Sequence, residues 1–591
     1  MGRVSSCKSH TRGVNLWRIL IHYLKPHWAL LVAVMVFQFA QSMASLALPT
    51  LNADIINKGV AAGDTGYILG TGGLMLLISV GQVAGSIFAT YFGSRLAMSV
   101  GRDIRGEFFA KVGKFSERDV AVFGTPSLIT RSTNDVLQIQ MLVLMGSTML
   151  LSAPILAVGG VITALGLDFN LSIIMAVSVP VLLVVIGFLL SRMIPLFRLM
   201  QERIDRINQV LREQLTGVRV VRAFVREKTE TARFDEANAQ VTETALKSGR
   251  LMAFMFPTVL IVLNMSSIAV LWLGSYRVDS GAMQIGTVMA FLQYLMQILM
   301  AVMMSMFMAM MIPRAAVCAD RVSAVLHTEP SVVATTTPIS TKSKAGDIEF
   351  DDVTFAYPGA EKPVLAKLNF AIKAGTTTAI IGPTGSGKTT MVNLIARLVD
   401  PTEGKVLIDG VALGDLDMDE LWTKIGLIPQ KAYLFTGTVA ETLRYGRETA
   451  SDEELWKALE IAQAKDFIEA LPEGLAAPVV QGGTNFSGGQ RQRLAIARAL
   501  VKQPEVLIFD DSFSALDLTT DAKLRQALAR ELPNTTKIIV GQRVASIKHA
   551  DQIVVCQDGQ ISGLGTHAQL LANNAIYQEI VASQMTAEEA A

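Results

Sequence analysis

The sequence predicts a multidomain fold: an all-α transmembrane domain of six helices, followed by an α/β domain organised around a phosphate-binding loop. Three observations carry this expectation. The first half holds six apolar stretches of about 20 residues or more, long enough to cross a ~30 Å hydrocarbon core. Beyond residue 346 the pattern changes to short β-rich runs alternating with helical stretches. After one of those runs comes Gly382-Pro-Thr-Gly-Ser-Gly-Lys-Thr-Thr390, a glycine-rich loop of the kind that cradles phosphates. The composition agrees, since 591 residues exceed one core and 51% hydrophobic against 17% charged residues departs from soluble averages. A net charge of +1 leaves no excess of Lys and Arg for nucleic acid, which is excluded as a partner. Cys7, Cys318 and Cys556 show neither disulfide nor metal-ligand spacing and read as free thiols.

The candidate spans lie at about 28–52, 67–94, 138–165, 171–193, 252–276 and 285–311. Arg3, Lys8, Arg12, Arg18 and Lys25 precede the first, which is long enough to be a retained helix rather than the core of a cleaved signal. Leu165-Gly-Leu-Asp-Phe-Asn170 is a tight polar break between the third and fourth spans. Pro154, Pro180 and Pro257 fall inside spans, where neighbouring helices re-satisfy the freed carbonyls. Basic residues crowd the segments after the second span (Arg95, Arg102, Arg105, Lys111, Lys114, Arg118) and after the fourth (Arg192, Arg198, Arg203, Arg206, Arg212, Arg219, Arg222). The opposing loops offer little beyond Lys58 and Arg277. The positive-inside rule therefore puts both termini and both long segments, 95–137 and 194–251, in the cytoplasm as helical extensions of the spans. A polar stretch at 328–346 separates a transmembrane domain (1–327) from a nucleotide-binding domain (347–591).

In the second domain, Thr376–Ile381, Val406–Ile408, Val506–Phe509 and Lys537–Val540 read as strands. Gly382, Pro383, Thr384, Gly385, Ser386 and Gly387 let the backbone curl so that its N–H groups face phosphate oxygens. Lys388 brings positive charge to the β and γ phosphates of ATP, Thr389 is placed to ligate Mg²⁺, and Thr390 follows in the helix begun at Lys388. Asp510, at the end of an apolar strand, is placed to hold Mg²⁺ directly or through water. Ser487, Gly488, Gly489 and Gln490 combine a hydroxyl, glycine N–H groups and the start of a helix expected at Arg491–Val501, which together make an anion site.

These motifs, with Asn485-Phe-Ser-Gly-Gly-Gln490 as signature, resemble those of ATP-binding cassette (ABC) proteins, and nearly the whole chain resembles a half-transporter of the exporter (type IV) class. The resemblance implies a RecA-like ATPase core with a helical subdomain. It implies that Tyr357 stacks on adenine, although alone it would be an ordinary turn tyrosine. It assigns Gln430 to sensing Mg²⁺ and the attacking water, and Ser514-Ala-Leu-Asp517 to the D-loop. The signature, with Phe486 in place of the commoner Leu, would close on ATP held by another subunit, so a dimer is implied. Glu213–Phe224 resembles the intracellular turn that touches the ATPase domain, where pattern alone also allows a charged, solvated helix pair.

Two positions depart from the family. Asp511 stands where a catalytic Glu usually follows the Mg²⁺-binding Asp, and Gln542 stands where a switch-loop His is usual. Both changes strike hydrolysis and spare ATP binding. That combination resembles the degenerate-site subunit of heterodimeric bacterial multidrug exporters, and implies a second half-transporter with intact Glu and His. The spans carry Gln38, Gln41, Gln82, Asn264, Gln293 and Gln297 but almost no central charge, which fits an ATP-driven pathway rather than an ion-coupled one. The sixth is crowded with Met289, Met296, Met300, Met303, Met304, Met306, Met308, Met310 and Met311, side chains that suit apolar cargo or simply pack helices and face lipid. The expectation is an exporter in a bacterial inner membrane moving amphipathic drugs or lipids, a hydrophobic small-molecule cargo, out of the lipid bilayer or cytoplasm. An importer of a siderophore-like solute, or a regulatory subunit with ATP as structural ligand, would share these motifs.

Overall fold

The computed structural model describes residues 12–340 and 345–584, so Cys7, Arg3 and Lys8 lie outside the described residues. The chain forms two compact units, one running to Gly113 and over Gly124–Thr328, the other comprising Lys114–Phe123 and the chain from Glu329 onward.

Among the described residues of the first unit, 6 helices are long and apolar enough to cross a membrane: Leu16–Val60, Thr65–Val112, Thr125–Leu167, Phe169–Thr216, Glu227–Asp279 and Ile285–Ser305. Thr65–Val112 and Phe169–Thr216 have 48 residues and Glu227–Asp279 has 53, or about 70–80 Å at 1.5 Å per residue. The apolar spans thus continue as helix into the charged segments as expected, with breaks between Val112 and Thr125 and between Thr216 and Glu227. Asp168 forms the polar break: its carboxylate caps the fourth helix at Leu171 N (3.0 Å) and pairs with Arg277 (2.6 Å). Lys58 pairs with Asp54 at 2.8 Å, so both cations noted in the opposing loops are neutralised locally.

Three features were not anticipated. An amphipathic helix, Arg12–Leu24, precedes the apolar helix that begins at Trp28 and buries Leu16, Ile19, Leu20 and Tyr23 on one face. Its charges masked this i, i+3, i+4, i+7 pattern, and Pro26 interrupts it within the short turn Lys25–His27. The third helix contains wide π-turns at Arg131–Asp135 and Gly146–Leu150. The second lies directly ahead of Pro154, whose ring would crowd the Leu150 carbonyl, while Ser147 and Thr148 return their hydroxyls to Leu144 O at 2.9 and 3.0 Å. The sixth helix runs on to Leu326 and is the centre of its unit, with 56% of its apolar window buried against 11–24% in the others. Its Phe291, Tyr294, Leu295 and Ile298 pack on Leu171, Met175, Leu182 and Ile186. Met289, Met296, Met300 and Met304 are exposed along one stripe and Met308 is buried; the side chains of Met306 and Met310 lie outside the described ones.

The second unit is α/β. Its strands, in chain order, are β1 (Ile348–Phe355), β2 (Leu365–Ile372), β3 (Thr377–Ile381), β4 (Glu403–Ile408), β5 (Val411–Ala412), β6 (Ile425–Ile428), β7 (Gly437–Thr438), β8 (Pro478–Val479), β9 (Val506–Asp510), β10 (Thr536–Val540), β11 (Gln552–Gln557) and β12 (Gln560–Gly565). The central sheet has the order β12-β11-β3-β10-β9-β6, parallel except for the edge strand β12, and an antiparallel sheet β2-β1-β4-β5 covers one side. β7 and β8 make a separate short pair. The central strands are buried on both faces and so read as continuous apolar runs. Lys424, almost fully buried, is held by Asp409 (3.2 Å) and Glu505 (2.8 Å), whose pairing outweighs the cost of desolvating the amine and raises its pKa overall.

The described part of the polar stretch before β1 is not loose. Ser331 N and Oγ donate to Asp119 of the helix Glu117–Phe123 (2.9 and 3.1 Å), Val333 O accepts from buried Arg397 (2.9 Å), and Ile339 bridges Leu416. These contacts use backbone groups and single side chains, which leave no periodicity in a sequence.

Candidate active site

The predicted residues converge because they sit at the C-terminal ends of adjacent parallel strands, where open α/β sheets bind ligands. The phosphate loop follows β3, Gln430 follows β6, Asp510 ends β9 and Gln542 follows β10. Register fixes the alignment: Val540 pairs with both Asp510 and Ile380, and Ile428 pairs with Phe509. A cavity of about 320 Å³ is lined by Thr384, Gly385, Gly387, Lys388, Thr389, Thr390, Gln430, Asp510, Asp511 and Gln542, with Val364 and Val540.

Two glycines are required for this loop. Gly387 has φ +92° at the helix start, and a Cβ there would meet Leu365 Cδ2 at 2.5 Å. A Cβ on Gly382 would lie 2.1 Å from Cys556 O. Lys388 Nζ donates to Gly382 O (2.8 Å) and Pro383 O (2.7 Å), and burial lowers its pKa. These partners are neutral, so phosphate oxygens are far better acceptors for the same cation. Thr389 Oγ1 donates to Asp510 Oδ1 at 3.2 Å, and burial raises the Asp510 pKa. Hydroxyl, carboxylate and the Gln430 amide are oxygen donors suited to a hard divalent cation.

Asp511 has φ +47°, ψ +28°, the left-handed region where a non-glycine residue is strained. Its N–H donates to Val540 O (3.1 Å), and Ser514 Oγ donates to its carbonyl (2.7 Å). Its Oδ2 accepts from Gln542 Nε2 at 2.9 Å and from Gln430 Nε2 at 3.2 Å. The two departures from the family are therefore bonded to each other, which sequence reading did not anticipate. Burial raises the Asp511 pKa, and the Gln430 bond opposes that rise.

Tyr357 is 41% exposed, packs edge-on against Phe355 and brings its hydroxyl within 3.5 Å of Thr390 Oγ1. Ser487, Gly488, Gly489 and Gln490 do not line the cavity. The helix here is Gly488–Val501, starting three residues before the expected Arg491. Ser487 is its N-cap in a reciprocal capping box: Ser487 Oγ accepts from Gln490 N (3.3 Å) and Ser487 N donates to Gln490 Oε1 (2.9 Å). Phe486 is buried against Phe467, a packing role consistent with its replacing Leu. Asp517 caps the helix Leu518–Glu531 through Thr520 N (3.0 Å).

Sequence reading missed two supports. Gln492 Nε2 donates to Pro429 O (3.1 Å) and ties the signature helix to the residue before Gln430. Ser512 Oγ donates to Ile428 O (3.0 Å) and ties the β9 end to β6. Cys318 and Cys556 are buried free thiols, and burial raises the Cys556 pKa to about 12.

Comparison with known proteins agrees with this architecture. Residues 31–302 match the ABC transporter transmembrane region and residues 365–514 match the ABC transporter model. An uncharacterized ABC transporter ATP-binding protein of Mycobacterium tuberculosis is 46% identical over 96% of this chain and 98% of its own length. The ATP-dependent lipid A-core flippase of Chromobacterium violaceum is 30% identical over 97% of this chain and 98% of its own length. The solved structure of a bacterial Atm1-family ABC exporter with ATP bound matches with a TM-score of 0.79 over 95% of this chain and 99% of that one, at 23% identity, a likeness of fold. The chain belongs to the ABC transporter family, as an ATP-hydrolysing half-transporter with the type IV exporter fold.

Proposed function

We propose that this chain is the ATP-holding subunit of a heterodimeric exporter in a bacterial inner membrane, with both termini and the ATPase domain in the cytoplasm. Its phosphate loop, Tyr357, Thr389 and Asp510 hold ATP at a slow site, and its Ser487–Gln490 motif completes the competent site of a partner that carries catalytic Glu and His. The observation that carries this reading is the double hydrogen bond to Asp511 Oδ2. A general base needs a free carboxylate oxygen within reach of the attacking water. Asp511 is one methylene shorter than Glu, and one of its two carboxylate oxygens is engaged by two amides. Gln542 can donate to a phosphate, but it has no titratable proton to move.

Thr389, Asp510 and Gln430 would hold Mg²⁺, which when bound neutralises phosphate charge. This chain's own contributions are Lys388 on the phosphates, the helix from Lys388 with its N-terminal dipole, and an aromatic face on Tyr357. Ser487–Gln490 lies outside this cavity, which supports its service to a nucleotide held elsewhere. The exposed methionine stripe of the sixth helix, and a lipid A-core flippase among the relatives, support an amphipathic drug-like or lipid cargo.

Ser487→Ala is expected to lower turnover of the assembled transporter about tenfold while leaving nucleotide affinity at this chain's own cavity unchanged. The lost N-cap costs about 1 kcal/mol of stability, which an unfolding curve of the same variant separates from the kinetic effect. Unchanged turnover by ATPase assay rules out the role across the interface.

A further inference from the structure

Gln542 reaches Asp511 from a short connection between β10 and the helix Val544–Ile547. Strand pairing ends at Gly541, whose N–H donates to Ile380 O (3.1 Å). The four-residue helix that follows has no side-chain cap of its own at Arg543. Two backbone groups flanking Arg543 therefore need outside partners: the Gln542 carbonyl and the Val544 N–H.

Gln584 meets both. Its Nε2 donates to Gln542 O at 2.7 Å and its Oε1 accepts from Val544 N at 2.9 Å. Among the described residues these are the only hydrogen bonds recorded for those two groups. One planar amide thus brackets the loop as a neighbouring strand would. The bracket is carried on a fixed support. The helix Ala575–Ala582 buries Tyr577 and Val581 in the same core as Val544 and Ile547, and Tyr577 OH bonds His567 Nδ1 at 2.7 Å.

We infer that Gln584 is a positioning residue for the slow ATP site, fixing the backbone of the switch loop so that the Gln542 amide is held on Asp511 Oδ2 and keeps that oxygen from the attacking water. It acts through Gln542 and touches no reacting atom. The inference rests on the reading of Gln542 and Asp511 as groups that face the phosphates. It also ties the last helix among the described residues to the nucleotide site, a role no motif in the sequence marks.

The test is a double-mutant cycle on the full-length chain in lipid nanodiscs, following release of labelled phosphate from ATP. Gln584→Ala is expected to raise kcat about threefold with KM for ATP unchanged, a modest effect because both bonds are open to competition from water. In a Gln542→Ala background the same change is expected to have no further effect, because the residue being positioned is gone. Gln584→Glu keeps the acceptor for Val544 N–H but cannot donate to Gln542 O, and is expected to match Gln584→Ala. Additive gains, a fall in kcat, a shift in KM alone, or no change on Gln584→Ala would overturn the positioning role while leaving the slow-site reading intact. Unchanged or lowered kcat in Gln542→Ala itself would overturn both.

Discussion

Asp511→Glu combined with Gln542→His raises ATP turnover at this chain's own site by on the order of a hundredfold in the assembled transporter. The longer side chain moves a carboxylate on the order of 1 Å toward the γ-phosphate side, and misplacement of that size costs about a hundredfold. The Gln542→His change removes one of the two amides that now engage Asp511 Oδ2 and restores a titratable ring. Gln430 remains as the other donor, at 3.2 Å. The measurement is phosphate release with the partner's catalytic Glu replaced, so that only this site contributes. Either substitution alone is expected to give much less. With Asp511→Glu alone, the longer carboxylate still meets the Gln542 amide; with Gln542→His alone, the new imidazole still faces the shorter carboxylate of Asp511.

Lys388→Ala is expected to weaken ATP binding at this chain's cavity about a hundredfold. The ammonium now rests on the carbonyls of Gly382 and Pro383 in a half-buried pocket. Charge-assisted bonds to phosphate are each worth about 1.5–3 kcal/mol, so losing them costs about 3 kcal/mol, which is a hundredfold in Kd. Titration with a fluorescent nucleotide reads this directly. Because the carbonyls have further lone pairs and the loop's shape depends on glycines, the variant keeps its fold. Affinity within a fewfold of the parent would mean that phosphate is held by the backbone alone.

Much of this was legible in the sequence because it rests on local rules. Span length is set by bilayer thickness, and the polar break at Asp168 falls where a helix must restart. The phosphate loop declares itself because only glycine tolerates the backbone at Gly382 and Gly387. The strands leading to the phosphate loop, Asp510 and Gln542 read as short apolar runs, whereas the strand Ile425–Ile428 before Gln430 went unread and that residue's role came from the family resemblance. What escaped notice depends on long-range pairing. The bond between Gln542 and Asp511 joins residues 31 apart in sequence, and the Gln584 bracket spans 40 and 42 positions. A lone glutamine carries no pattern. The Arg12–Leu24 helix was hidden by charges on its outer face, and the early start of the signature helix by reading Ser487 only as an anion ligand when it is also the N-cap.

The central claim is a division of labour, with this chain holding ATP at a slow site and serving a competent site in a partner. The most direct test is the steady-state ATPase activity of the full-length chain in lipid nanodiscs, measured alone and after assembly with a half-transporter that carries catalytic Glu and His. Slow turnover alone, rising about a hundredfold in the mixed assembly and falling again with Ser487→Ala, is the predicted result. Brisk turnover by the chain alone, undiminished by removing the partner, would contradict it.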